Sequence, residues 1–286
     1  MDKTKLHRIL EFNKNHAREI LDARTAFYEA IGRQTPAVIS DMQTMAQMIF
    51  AKNGYKFLRI PMKSKEIGAF LLRLNNSDYL VLNTSKGLAN NNFSVAHELY
   101  HILIQREMGS GNIGELYLNN YEEMETESMA NAFAGAILMP TEDILLTSNF
   151  ILRKGVFTEE EKTRFPYIDE LLTVFALMSY YKTTYMSVVI RCYELEIFDV
   201  KDAGLMDALL SHNSEEEQKD LFSKIPGRSG ALTIMDATRE DDFEVIYEEA
   251  LRLGTANAEK GLITKEDLEY RLDGMRKAYL FVKGGA

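Results

Sequence analysis

A chain of 286 residues that is 46% hydrophobic has material for one large or two modest cores, and no stretch of it is long and apolar enough to span a bilayer. With 33 Lys and Arg against 43 Asp and Glu, the net charge of −10 works against phosphate neutralisation, so direct nucleic-acid binding is not expected outside a local basic patch. The single cysteine, Cys192, excludes an intramolecular disulfide and fits a reducing compartment, where burial as a small apolar residue is its expected fate.

The first twenty residues carry charges throughout and lack the apolar run of a signal peptide, so a cytoplasmic location without membrane association is expected. Residues 1–35 form a first segment in which Leu6, Ile9, Leu10, Ile20, Leu21, Phe27 and Ile31 recur at helical intervals. His7 and His16 lie there without a histidine partner at ligand spacing, which assigns them to surface or structural roles. After Pro36, the run AVISDMQTMAQMIFAKNG predicts a helix ending at Gly54, with its methionines as core filler.

Residues 55–83 change character. YKFLRIPMK, IGAFLLRLN and DYLVLN are rich in aromatic and branched residues and are joined by turn chemistry, with Asn75, Asn76 and Ser77 in the second junction. They predict a small, largely antiparallel three-stranded sheet. The strand Tyr79 to Asn83 ends just before the next helix and has two open readings: a free edge that pairs with an extended peptide, or an internal strand paired on both sides.

The run FSVAHELYHIL, Phe93 to Leu103, holds His97, Glu98 and His101 in the HExxH spacing on an apolar-periodic helix. At about 3.6 residues per turn, the two histidines share a face and can reach one cation, with Glu98 leaning toward the same side. Two imidazoles and an open position for water suit Zn²⁺, which lowers the pKa of that water while Glu98 takes its proton. Asn90 to Asn92 with Ser94 offer capping groups for this helix. A third ligand comes from the next helical run, Tyr121 to Pro140, whose apolar side carries Met124, Met129, Ala130, Phe133, Ala134, Ile137 and Leu138. Among its acids, Glu127 alone sits one turn before Asn131, so the carboxylate can bind metal while the amide oxygen holds the free N–H of a ligand histidine. Glu122, Glu123 and Glu125 read as first-turn acids that favour the helix dipole.

Beyond Pro140 the chain is helical in TEDILLTSNFIL, DELLTVFALMSYY and TTYMSVVIRCYELEIF, and again in four runs between residues 201 and 286. IPGRSGALT, with Pro226, Gly227 and Gly230, is the expected hinge or boundary in this half. His212, Tyr180, Tyr181 and Tyr185 all stay open as groups that could stabilise a developing oxyanion.

FSVAHELYHIL followed by ESMANAFAGAILMP resembles the paired signature of the ImmA/IrrE family of metallopeptidases, in which an AHELGH-type helix precedes an ExxANxFAxxLLMP-type helix. The strand pair IGAFLLRLNNSDYLVLN is similar to the family's lead-in, so the resemblance covers about residues 35 to 200. It implies His97 and His101 as histidine ligands, Glu127 as glutamate ligand and Glu98 as general base. Tyr100 stands where the family has glycine, and Met129 where an acid is common; the tyrosine either narrows the approach to the metal or packs. The resemblance also implies a winged-helix-like portion, where Arg191 can be read as a base contact, but Glu194, Glu196 and Asp199 would repel phosphate and favour a structural role for it.

These readings converge on an α+β, mostly helical protein: a zincin-like metallopeptidase core with a small antiparallel sheet over residues 36–155 and a helical C-terminal region over 156–286, winged-helix-like to about 200. The expected activity is Zn²⁺-dependent endopeptidase cleavage of a protein substrate, and the resemblance implies a helix-turn-helix repressor as that substrate. The alternatives are a regulator that holds the repressor without cutting it, and a nucleic-acid-binding regulator. Oligomeric state leaves no trace in the sequence.

Overall fold

The structure is a computed structural model and describes residues 1–74, 77–105, 120–153, 157–212, 214–225 and 232–284. Asn75 and Asn76, and the expected hinge at Pro226, Gly227 and Gly230, lie outside the described residues, as do the side chains of Glu122, Glu123 and Met124. The chain opens with helices α1 (Lys3–Asn15), α2 (Ala17–Ala30) and α3 (Met42–Lys52). Asp2 and Asp41 start α1 and α3 by accepting hydrogen bonds from the amides of Lys5 and Thr44, which satisfies donors that the first helical turn leaves unpaired. Helix α3 thus begins at Met42, later than the sequence run suggests, and Gly54 ends it at φ 83°, a backbone conformation that costs glycine little.

Strands β1 (Tyr55–Ile60), β2 (Ala69–Leu74) and β3 (Ser77–Asn83) form one sheet in the order β1-β3-β2. The sheet is mixed and not antiparallel throughout: β2 pairs antiparallel with β3, whereas β1 pairs parallel with it, Tyr55 opposite Asp78 through Ile60 opposite Asn83. The physical reason is the connection 61–68, which carries the chain from β1 across the sheet end to the far side of β3. Asn83, fully buried, pins that crossing. Its Nδ2 donates to the carbonyls of Ser64 and Ile67, and its Oδ1 accepts from the amides of Met62 and Ser85. Because β3 is central, the reading of its edge as free for a peptide is overturned; among the described strands the outer edges belong to β1 and β2.

Helix α4 (Leu88–Tyr100) follows and runs directly into a π-helical turn, His101–Gln105. Then come α5 (Asn120–Leu138), α6 (Thr141–Arg153), α7 (Glu159–Arg164), α8 (Ile168–Tyr181), α9 (Tyr185–Glu194), α10 (Ala203–Leu210) and α11 (Glu215–Lys224). A 3₁₀ turn, Thr233–Met235, leads to α12 (Phe243–Glu259) and α13 (Lys265–Lys283). Side-chain caps at Thr158, Thr184, Asp202, Ser214 and Thr264 start five of these helices, three of them as reciprocal capping boxes.

A hydrophobic cluster runs from Leu6 through Phe27, Phe50, Leu80, Leu99, Phe133, Phe175 and Tyr185 to Met235. Helix α4 lies at its centre, between α5, α3 and the sheet. Cys192 is fully buried in the same cluster, and burial pushes its thiol up to about 12, so it packs as an apolar residue. No described helix is long and apolar enough to cross a membrane.

Candidate metal centre

No side chain caps the start of α4, which is held by contacts to other parts of the chain. Asn90 to Asn92 were expected as caps, but the helix begins at Leu88 behind Gly87, so all three asparagines lie inside it. They act as ties: Asn90 donates to Glu215, Asn91 to the Thr238 hydroxyl, and Asn92 to the carbonyl of Lys182. Residues 235–242 lie alongside. Gly87 bridges Ala237, the Thr238 and Arg239 amides donate to the carbonyls of Lys86 and Thr84, and Asp242 receives Arg59 through both carboxylate oxygens. A Cβ at Gly87 would sit 2.5 Å from the Met235 carbonyl carbon, so glycine is what permits the close approach.

On the far half of α4, His97 and His101 fall one turn apart and face α5, which is packed against α4 along its length. Their Nε2 atoms stand 3.3 Å from each other, and the Glu127 carboxylate closes the triangle at 3.1 Å from His97 and 3.4 Å from His101. These three ligand atoms all lie within 4.8 Å of one another. The outer ring nitrogens are both engaged by amide oxygens: Nδ1 of His97 with Asn131 at 3.1 Å, and Nδ1 of His101 with Gln105 at 2.8 Å. An amide oxygen only accepts, so each Nδ1 carries a proton; a second proton on Nε2 of His97 lets that ring donate to Glu127, and its loss leaves an Nε2 lone pair for a cation. Two Nε2 atoms and a carboxylate at one point share a cation, either the His97 proton or a metal ion that displaces it, so the donor set fits a divalent metal ion.

The surrounding charges follow from burial. Desolvation would push His97 down, but the hydrogen bond to Glu127, the charges of Glu98 and Glu127 and the Asn131 contact hold it above the usual imidazole value. His101 is pushed down by burial, which outweighs Gln105. The His97 hydrogen bond holds Glu127 below the usual carboxylate range. Glu98, adjacent in sequence to His97 and only 9% exposed, is raised to about 7 by desolvation.

The structure thus brings His97, His101, Glu127 and Asn131 together as their spacing predicts. Gln105 was missed, although it lies one turn past His101 and so carries the same i to i+4 signal as Asn131. Tyr100 packs, 7% exposed, against the rings of Phe133 and His101. His16 sits 3.3 Å from Glu125, its ring stacked on Phe12. Nδ1 of His212 contacts the Ala208 carbonyl at the end of α10, Tyr181 bonds Asp143, and buried Tyr185 donates to Leu209. Arg191, 11% exposed, points inward to Glu194, Thr141 and the Met139 carbonyl, which leaves its guanidinium committed within the protein.

A small mixed sheet leading into a helix with the HExxH spacing, faced by a glutamate from a second helix, defines a metallopeptidase domain. The model of one peptidase family, described as the IrrE N-terminal-like domain, matches residues 51–193, half of the chain. The chain belongs to that family, the ImmA/IrrE metallopeptidases. Comparison with curated proteins gave no match. The match spans the last turn of α3 to α9, so α1, α2, most of α3, α10, α11, the 235–242 segment and the α12–α13 pair lie outside it.

Proposed function

We propose that this protein is a zinc-dependent endopeptidase that cuts a protein substrate. His97 and His101 through Nε2 and Glu127 through its carboxylate would hold the ion, and Asn131 and Gln105 keep both imidazoles in the tautomer that ligation needs. When bound, Zn²⁺ supplies Lewis-acid polarisation and brings the pKa of water within reach of a carboxylate. Glu98 serves as general base: its carboxylate takes the proton of the attacking water and passes it to the departing amine nitrogen. Its burial beside His97 shields that transfer from bulk solvent.

The observation that carries this reading is the convergence of two Nε2 atoms and one carboxylate on a single point, with both Nδ1 atoms tied back. Family membership supports a helix-turn-helix repressor as the substrate, cleaved to release the genes that it silences. The single buried thiol Cys192 accords with a reducing, cytoplasmic setting. The test is incubation of the zinc-loaded protein with candidate repressors, alongside Glu98→Gln. Site-specific cleavage that disappears in Glu98→Gln while zinc content holds supports the proposal. Repressor release without cleavage, equal in both proteins, would replace it with a holding role.

A further inference from the structure

Helices α12 and α13 pack on one another and join the rest of the chain at one end. There the Lys63 amide donates to the Val282 carbonyl, while Tyr279 and Lys283 meet Asp241. The inward face of α13, with Leu268, Leu272, Met275 and Tyr279, is occupied by this packing. Among the described residues, nothing covers Tyr270 and Phe281 on the outward face of α13. Tyr270 is 81% and Phe281 84% exposed, and Gly274 and Lys277 lie between them at intervals of four, three and four residues, the spacing of a two-helix seam.

We propose that this seam pairs antiparallel with the same seam of a second copy of the chain, about a two-fold axis that passes between Gly274 and Lys277. Three features fit that occupant. Antiparallel register sets Tyr270 against the partner's Phe281 and the reverse, so both exposed rings are covered at once. Gly274 has no side chain and the space a Cβ would take is open, so the apolar stem of the partner's Lys277 can lie against the backbone there. The charges are complementary only in this direction. Lys265 to Asp273 holds two cations and four acids, net −2, whereas Gly274 to Lys283 holds three cations and no acid, net +3. Parallel pairing would oppose like halves. Antiparallel pairing brings the Lys277 ammonium, already bonded to Asp273 of its own helix at 2.7 Å, to the partner's Asp273 as well.

One helix pair covers less than the ~1,600 Å² of a standard interface, so association in the micromolar range is expected. The experiment is sedimentation equilibrium of the full chain, from about 1 to about 300 μM to bracket that range. The mass should rise from 32.7 kDa toward twice that value. Tyr270→Ser with Phe281→Ser should stay monomeric throughout with unchanged far-UV circular dichroism. Asp273→Lys and Lys277→Asp should each be monomeric alone, because each makes its seam self-repelling, and should form a dimer when mixed in equal amounts. A wild-type chain that stays monomeric, a dimer that survives the double serine variant, or a charge-variant mixture that fails to associate would each overturn the proposal. None of these readouts depends on peptidase activity.

Discussion

Nδ1 of His97 lies 3.1 Å from Oδ1 of Asn131, one turn beyond Glu127 on the facing helix, and this contact decides which nitrogen of His97 looks toward the carboxylate. An amide oxygen only accepts, so a proton stays on Nδ1 and Nε2 is the nitrogen that faces Glu127. Removing it frees the ring to rotate and change tautomer. Asn131→Ala is therefore expected to weaken metal binding by about 10- to 100-fold, read by competition against a chromophoric chelator. Asn131→Asp keeps an acceptor there and should retain most of the affinity. Equal affinity in wild type and Asn131→Ala would show that the contact is incidental.

Binding a metal to the folded site and not to the unfolded chain must stabilise the fold. At a free zinc level of about 100 times Kd, the gain is about 2.7 kcal/mol. For a chain of this size that corresponds to about 4–5 °C in Tm, which a chelator should take away. His97→Ala should melt at one temperature with or without zinc. A zinc-induced rise that persists in His97→Ala would place the ion elsewhere.

The candidate ligand set was legible because it is local in the helical period: His97 to His101 and Glu127 to Asn131 are each a single turn, and the period itself says that they share a face. Gln105 obeys the same rule and was readable in principle. Sheet order was not readable, because strand pattern says which residues pair with something and not which neighbour they take. The parallel pairing of β1 with β3 depends on Asn83 collecting three backbone groups of the 61–68 crossing, with the Ser85 amide as a fourth partner, and nothing in the run DYLVLN signals that. The asparagines before the HExxH helix look like caps by composition. Their actual partners, Glu215, Thr238 and Lys182, are remote in sequence. Residues 235–242 hold the helix start chiefly through main-chain hydrogen bonds, so their side chains leave no periodic trace.

That segment makes Gly87 a sensitive position. Gly87→Ala puts a methyl 2.5 Å from the Met235 carbonyl carbon, against backbone that can yield only by moving away from the start of α4. A loss of about 1–3 kcal/mol in denaturant unfolding is expected, the usual cost of overpacking a well-fitted contact. Gly135→Ala is the matched control. It lies inside α5, where a Cβ meets nothing within 4 Å, so the helix should gain about 0.5–1 kcal/mol from the same methyl. Equal effects at the two glycines would mean that the close approach at Gly87 carries no strain.

Asp41 gives a prediction in pH. Its carboxylate accepts from the Thr44 amide at 3.0 Å and from the Thr44 hydroxyl at 2.7 Å, and these bonds hold it below the usual carboxylate range. A group whose pKa is lower in the folded than in the unfolded chain binds fewer protons when folded at intermediate pH. Its stabilisation is therefore complete above the unfolded carboxylate value, about 4, and is lost as pH falls through the lower folded value. Asp41→Ala should cost about 1 kcal/mol at pH 7, a typical value for loss of a helix N-cap. The gap between variant and wild type should stay constant down to about pH 5 and narrow below about pH 4, where the wild-type carboxyl takes up its proton. Unfolding curves at pH 7, 5 and 3 measure it. A gap that widens on acidification would mean that the protonated form is the one that caps α3.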